Sequence, residues 1–267
     1  MPSNLPADLD PRIVFELAGD VATITMDQPA KRNAVAPSMW DAIAALFDHC
    51  SKNPAVRVVV LTGRGEAFCS GTDLAEIDLE NDIASGLSRL RGANRMILAI
   101  RNCDKPVIAA CRGSAVGVGW SLALACDFTL AATTAKFGGG FLKVGLVPDG
   151  GSIYFLSRLL GEARAKEIAY TSRVIPAPEA VDLGLVLEAV PSEELDARVA
   201  AFAVQLANCA TTSVGLAKRL FRHAMGPTLE MYLEQEELAQ VCSKRTDDFA
   251  EGVAAFKEKR AVRFTGR

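Results

Sequence analysis

The residues in this chain best suited to chemistry are glycines and one aspartate. Residues 65–74 (GEAFCSGTDL) and 113–121 (GSAVGVGWS) each follow an apolar, strand-like run, and the second leads directly into a helix. Glycine lets backbone N–H groups approach a ligand closely. A helix N-terminus adds free N–H groups and partial positive charge. Two such donors, one from each strand end, can converge on one oxygen and make an oxyanion hole for an enolate or a tetrahedral oxyanion. Spacing alone leaves an alternative open, in which the two tight turns serve only packing. Asp149, in Val147-Pro148-Asp149-Gly150-Gly151, precedes a helix. Taken alone, such an aspartate is first an N-cap.

Other motifs fail when their spacing is tested. Gly117-Val118-Gly119 begins like a dinucleotide fingerprint, but the third glycine position holds Leu122. Residues 145–152 have P-loop spacing with Gly151 in place of the lysine. Gly119-Trp120-Ser121-Leu122-Ala123 is close to a nucleophile elbow but ends in alanine and lies a long loop away from its strand. The two histidines, His49 and His223, fall in helical segments and read as surface or packing residues. With two histidines and no Cys-x-x-Cys pair, no metal site is expected.

The elements that must position these groups follow from pattern. Residues 12–27 predict a hairpin turning at Ala18-Gly19-Asp20, and a helix starts near Pro37-Ser38 and stops at Asn53-Pro54. Residues 56–62 and 107–111 are too apolar for exposed strands and predict buried parallel ones. Residues 75–102 read as helix, 120–126 as helix, 127–132 and 136–137 as strands, and everything after 152 as almost wholly helical. The fold class is therefore α/β, with a core over residues 1–190 and a helical region over 191–267.

Of the 267 residues, 50% are hydrophobic and 23% charged, which excludes a disordered chain or a small disulfide scaffold. Lys plus Arg is 29 against 32 Asp plus Glu, so no nucleic acid partner is expected. No stretch of apolar residues is long enough to span a membrane, and the N-terminus has no secretory pattern. Seven scattered cysteines read as reduced thiols in a cytoplasmic protein.

Together, ordered segments along nearly the whole chain resemble the crotonase (enoyl-CoA hydratase/isomerase) superfamily. They are residues 27–34, 58–74, 105–119, 126–127, 137–138, 145–151 and 251–260. The resemblance implies a crotonase-like spiral of ββα units and a helical C-terminal trimerisation region, assembled as a homo-trimer or a dimer of trimers. It implies an acyl-CoA thioester substrate and no cofactor, CoA being part of the substrate. The N–H groups of Thr72 and Val118 match the two oxyanion-hole positions. Lys31 and Arg32 match the loop near the CoA phosphates and adenine. Ala67, Ser70, Asp73 and Leu74 match the stretch gripping adenine and pantetheine, and Gly71 and Gly117 adjoin the donors in the substrate-binding set. Phe256 and Lys259 match tail residues that reach CoA from a neighbouring subunit.

For the reaction, the resemblance points away from hydration. Hydratases of the superfamily use two glutamates, and the matching positions hold Ser121 and Phe141. Neither can accept a proton at neutral pH. Asp149 matches the single catalytic aspartate of phenylacetate-pathway isomerases and of some 3-enoyl-CoA to 2-enoyl-CoA isomerases. It also matches a dehalogenase nucleophile, but no histidine lies between His49 and His223 to activate water. Isomerisation through a thioester enolate is the expected activity. The alternatives are hydration and an acyl-CoA- or RNA-binding relative without turnover. Ser121 either hydrogen-bonds substrate or packs. Phe141 would dry the pocket, and with Ile77, Leu79, Ile83 and Leu87 it suggests an apolar acyl group.

Overall fold

The computed structural model describes residues 5–6, 9–76 and 82–267. Strand β1 (Ile13–Ala18) and strand β2 (Val21–Met26) form the expected antiparallel hairpin, turned at Gly19 with φ +61°. From β2 onward the sheet is parallel. It runs through β3 (Val58–Gly63), β4 (Val107–Cys111), β6 (Phe128–Ala132) and β9 (Glu188–Val190), in the order β1-β2-β3-β4-β6-β9. Side chains alternate across it. Val59, Leu61, Val107, Ala109 and Cys111 join one core; Val58, Val60, Ile108 and Ala110 join another. Both faces are covered, which is why these strands read as continuous apolar runs.

Helix α1 (Pro37–Lys52) and helix α2 (Ile83–Asn102) pack together on the first face. α2 starts at Asp82, whose side chain accepts the Ser85 N–H at 2.8 Å. On the second face lies α7 (Leu195–Ala207), with Leu195, Val199 and Phe202 against Val58, Val60 and Ile108. A second sheet, in the order β5-β7-β8, is made from β5 (Ser114–Val116), β7 (Lys136–Gly138) and β8 (Ile175–Pro176). Helix α3 (Val118–Ala125) is buried at every residue between the two sheets. The remaining helices are α4 (Ser152–Leu160), α5 (Glu162–Thr171), α6 (Ala177–Asp182), α8 (Thr211–His223), α9 (Leu229–Ser243) and α10 (Asp247–Glu258).

The structure differs from the pattern reading in three places. The glycine-rich turn after β4 contains a strand, β5, and α3 begins at Val118 instead of 120. The stretch after 152 is not wholly helical, because β8 and β9 close the two sheets. Each has too few residues to show a period, so pairing and not pattern creates them. Within 75–102 the regular helix begins only at Ile83, after a 3-10 turn over Leu74–Glu76. Ile77 and Leu79 lie outside the described residues.

Candidate active site

The two glycine-rich loops meet along a seam. The Cys69 N–H donates to Ser114 O at 3.0 Å, and the Val116 N–H returns to Cys69 O at 2.9 Å. A Cβ on Gly71 would stand 3.0 Å from Val116 O, and one on Gly119 would strike the Cys69 carbonyl. Each expected donor follows a glycine in a conformation that other residues rarely adopt: Gly71 has φ +108° and Gly117 φ +58°. At Thr72 the chain bridges Val35 through Gly71 O and the Asp73 N–H. In a parallel bridge of this kind the Thr72 N–H points to the side away from Val35. Val118 is the first residue of α3, so its N–H has no acceptor within the helix and lies at the positive end of its dipole. The structure thus brings the two expected donors to one seam.

Asp149 is carried to the same place by its backbone. Its carbonyl accepts three hydrogen bonds, from Ser121 Oγ at 3.1 Å, Ser152 Oγ at 3.0 Å and the Ser152 N–H at 3.1 Å. Gly150, at φ +59°, leaves no room for a Cβ, which would sit 2.7 Å from Ser121 Cβ and 3.5 Å from Val118 Cγ2. The carboxyl does not cap α4, whose N-cap is Gly151 with no side-chain cap bond. Instead Asp149 Oδ1 is buried and has no hydrogen-bond partner among the described residues. Burial raises its pKa above the ordinary value, and the positive charge of Arg89 on α2 offsets part of that rise.

Ser121 is fully buried, and its hydroxyl is directed at the Asp149 and Gly117 carbonyls. Of its two open roles, the structure supports the packing one: it joins the Asp149 turn to the first turn of α3. The Phe141 ring is 9% exposed, and a Cβ on Gly117 would lie 4.0 Å from its Cζ. It therefore walls the Val118 side of the site. Ile83 and Leu87 are largely exposed and add no core contact.

The expected CoA-binding residues form a second group. Ser70 joins the loops, its Oγ donating to Lys31 O and its N–H to Arg32 O, each at 2.9 Å. Lys31 Nζ pairs with Asp73 Oδ2 at 2.6 Å, and this pairing holds the Asp73 carboxyl below its usual pKa range. Arg32 and Leu74 face solvent, Leu74 at 60% exposure, while Ala67 is buried. Phe256, 86% exposed, and Lys259, at the end of α10, lie on a helix whose side-chain bonds go to the C-terminal tail. Among the described residues no hydrogen bond or ion pair joins them to either glycine loop.

Two contributors escaped sequence reasoning. Asn33, at φ +56° and fully buried, donates to Ala67 O at 2.6 Å and Arg64 O at 3.0 Å, and so fastens the 65–74 loop. The available signal was its residue type, since asparagine tolerates the left-handed conformation, at the end of the polar loop 27–33. Arg89 carries no motif at all.

Known proteins share this arrangement of chain. The model of the enoyl-CoA hydratase/isomerase family matches residues 16–267. The chain is 38% identical to a probable enoyl-CoA hydratase of Rhodobacter capsulatus over 96% of this chain and 98% of that protein. It is 34% identical to the 1,2-epoxyphenylacetyl-CoA isomerase of Escherichia coli, again over 96% and 98%. The fold superimposes on the crystal structure of an enoyl-CoA hydratase from a Polaromonas species with a TM-score of 0.90 at 34% identity, covering 94% of this chain and 99% of that one. Hydratase is a commoner name than isomerase among such relatives.

Proposed function

The chain belongs to the enoyl-CoA hydratase/isomerase family, and from that premise we propose that it shifts a double bond, or isomerises a ring, in an acyl-CoA thioester. The observation that carries this reading is the Asp149 carboxyl. It is one carboxylate with a buried, unpartnered oxygen that does not cap α4, on a turn packed against the start of α3, where a Cβ on Gly150 would lie 3.5 Å from Val118 Cγ2. In the proposed reaction the thioester oxygen accepts the Thr72 and Val118 N–H groups. Asp149 removes a proton α to the thioester, and the two donors stabilise the enolate oxygen. The same carboxyl, now an acid, returns the proton at the γ carbon. One group performs both transfers and no water enters.

Hydration is favoured only by the names of relatives. It needs a base and an acid that Ser121 and Phe141 do not supply, and each missing group costs about 10²–10⁴ in rate. The Ser121 hydroxyl is turned to backbone carbonyls and Phe141 is a hydrocarbon wall. Lys31, Arg32, Ala67, Ser70, Asp73 and Leu74 are proposed to hold CoA, with Phe256 and Lys259 reaching a neighbouring subunit of a trimer or a dimer of trimers. The exposure of Phe256 and of apolar side chains along α9 supports that assembly. Seven free cysteines, five of them buried, support a reducing compartment such as the cytoplasm.

The test is the ultraviolet absorbance of the conjugated thioester after the enzyme is added to a 3-enoyl-CoA, with Asp149→Asn in parallel. Wild type raises the absorbance; the variant binds acyl-CoA and is slower by at least about 10². Isomerisation at full rate by Asp149→Asn would falsify the assignment.

A further inference from the structure

Ser121 is fully buried and Ser152 is 2% exposed, and both hydroxyls are spent on one atom, the carbonyl oxygen of Asp149. Ser121 Oγ reaches it from α3 at 3.1 Å; its other acceptor, Gly117 O, is farther away at 3.4 Å. Ser152 Oγ reaches it from the first residue of α4 at 3.0 Å, beside the Ser152 N–H at 3.1 Å. Between the two serines the chain turns through Gly150 at φ +59° and Gly151 at φ +76°, values that favour glycine. Gly150 sits so close to α3 that a Cβ would stand 2.7 Å from Ser121 Cβ. The Asp149 peptide is therefore gripped from two helices at once.

The carboxyl shows what this grip prevents. An aspartate in a turn before a helix ordinarily accepts the N–H two residues on, or caps the helix. Donors for both bonds are close in the chain, since the N–H groups of Gly151, Ile153 and Tyr154 have no acceptor among the described residues. Asp149 takes neither bond. Its Oδ1 is buried without a partner, and α4 has no side-chain cap. We propose that Ser121 and Ser152 are positioning residues: by fixing the Asp149 carbonyl from two elements, they hold the carboxyl out of these local hydrogen bonds and leave it free to take the substrate proton. Neither serine touches the reacting atoms; each acts through Asp149. The proposal rests on reading Asp149 as the proton shuttle.

A carboxylate that accepts backbone N–H groups is stabilised in its charged form and becomes a weaker base. Burial works the other way and raises the Asp149 pKa, with Arg89 on α2 opposing the rise. Among the surrounding elements, α3 carries no titratable side chain, the first turn of α4 only Tyr154 and the 141–147 loop only Lys143. Releasing the carbonyl should thus let the carboxyl turn to its own backbone and titrate at lower pH.

The experiment titrates the Asp149 carboxyl by carbon-13 NMR, its signal identified by loss in Asp149→Asn, and measures kcat and KM on trans-3-hexenoyl-CoA across pH. The proteins are wild type, Ser152→Ala, Ser121→Ala with Ser152→Ala, and Ser152→Thr. The double variant is expected to titrate at lower pH than wild type, and the acid limb of its kcat/KM profile to move the same way. Its kcat should fall about 10- to 100-fold with KM within about twofold, the pattern of a displaced catalytic group. Ser152→Thr keeps the hydroxyl and should behave as wild type. An Asp149 titration unchanged in the double variant overturns the proposal. So does a loss confined to KM, or Ser152→Thr as slow as Ser152→Ala. Alanine favours the helix at position 121, and if the double variant does not fold, Ser152→Ala decides by the same readouts. The two readings fail separately. If wild type does not isomerise, or Asp149→Asn isomerises normally, the shuttle assignment falls, while the NMR titration still judges the grip.

Discussion

The Asp149 carboxyl keeps one oxygen away from both water and hydrogen-bond donors, and burial raises its pKa. As a base it must be ionised, so kcat/KM should fall as pH drops through the raised value, earlier than for an exposed aspartate. The same shift has a stability consequence of the opposite sign to the usual carboxylate. The folded state holds the Asp149 proton more tightly than the unfolded chain, so stability is lost as pH rises between the unfolded and folded pKa values. Asp149→Asn should therefore be more stable than wild type at neutral pH, with the gap closing below the ordinary carboxylate range. Denaturant melts at several pH values check this, and a variant less stable at neutral pH contradicts it. Asp73 behaves in the usual direction. Its lowered pKa, caused first by Lys31, adds stability above the ordinary carboxylate range that disappears as pH falls through the folded value.

At the scale of the element, α3 matters most. Its first residue, Val118, sits where proline is tolerated, because an N–H at that position has no helical acceptor in any case. Val118→Pro should thus remove one donor and leave the helix intact, lowering kcat by about 10²–10³. Circular dichroism shows whether the variant is folded, and unchanged kinetics on folded protein would sink the donor assignment. The two donors were legible in the sequence only because glycines precede them and, by resemblance, because the surrounding residues match known loops. Their convergence could be expected from the sequence, but not the contacts that bring the loops together. It depends on Gly71 and Gly119 letting the loops touch at Val116 and Cys69, residues 45 or more positions apart in the chain for each contact. The strands β1 to β4 and β6 could be read from their β-branched runs, whereas β5, β8 and β9 exist only because a neighbouring edge is there to pair with.

Across the whole molecule, buried polar pairs lock the C-terminal helices to the core. Lys218 on α8 reaches Asp127 Oδ2 at 2.6 Å and Lys105 O at 3.0 Å, at 7% exposure of its side chain. Lys218→Met should cost about 3 kcal/mol, toward the low end for breaking a buried pair because Asp127 keeps the Val107 N–H as a partner. Chemical denaturation measures it. By contrast α9 buries none of its residues, and Leu238 and Val241 are more than half exposed. If α9 packs against further copies of the chain, sedimentation should give a trimer or hexamer. Leu238→Glu with Val241→Glu should shift it toward monomer and weaken CoA binding, because Phe256 and Lys259 would lose the neighbour they serve. An unchanged assembly would remove α9 from the interface.

The sequence by itself determined the chemical inventory: two glycine-led backbone donors, a lone aspartate in a Pro-Asp-Gly-Gly turn, and Ser121 and Phe141, neither of them an acid, at the positions that the resemblance assigns to the hydratase glutamates. Those are properties of residue type and local conformation, and they are written in order along the chain. Only the tertiary structure decided that Asp149 does not cap α4, that one of its carboxyl oxygens is buried without a partner, and that Ser121 faces two carbonyls. Each depends on burial and on a partner distant in the chain, and burial is created by the docking of α2, α3 and the 141–151 loop, which no local pattern records.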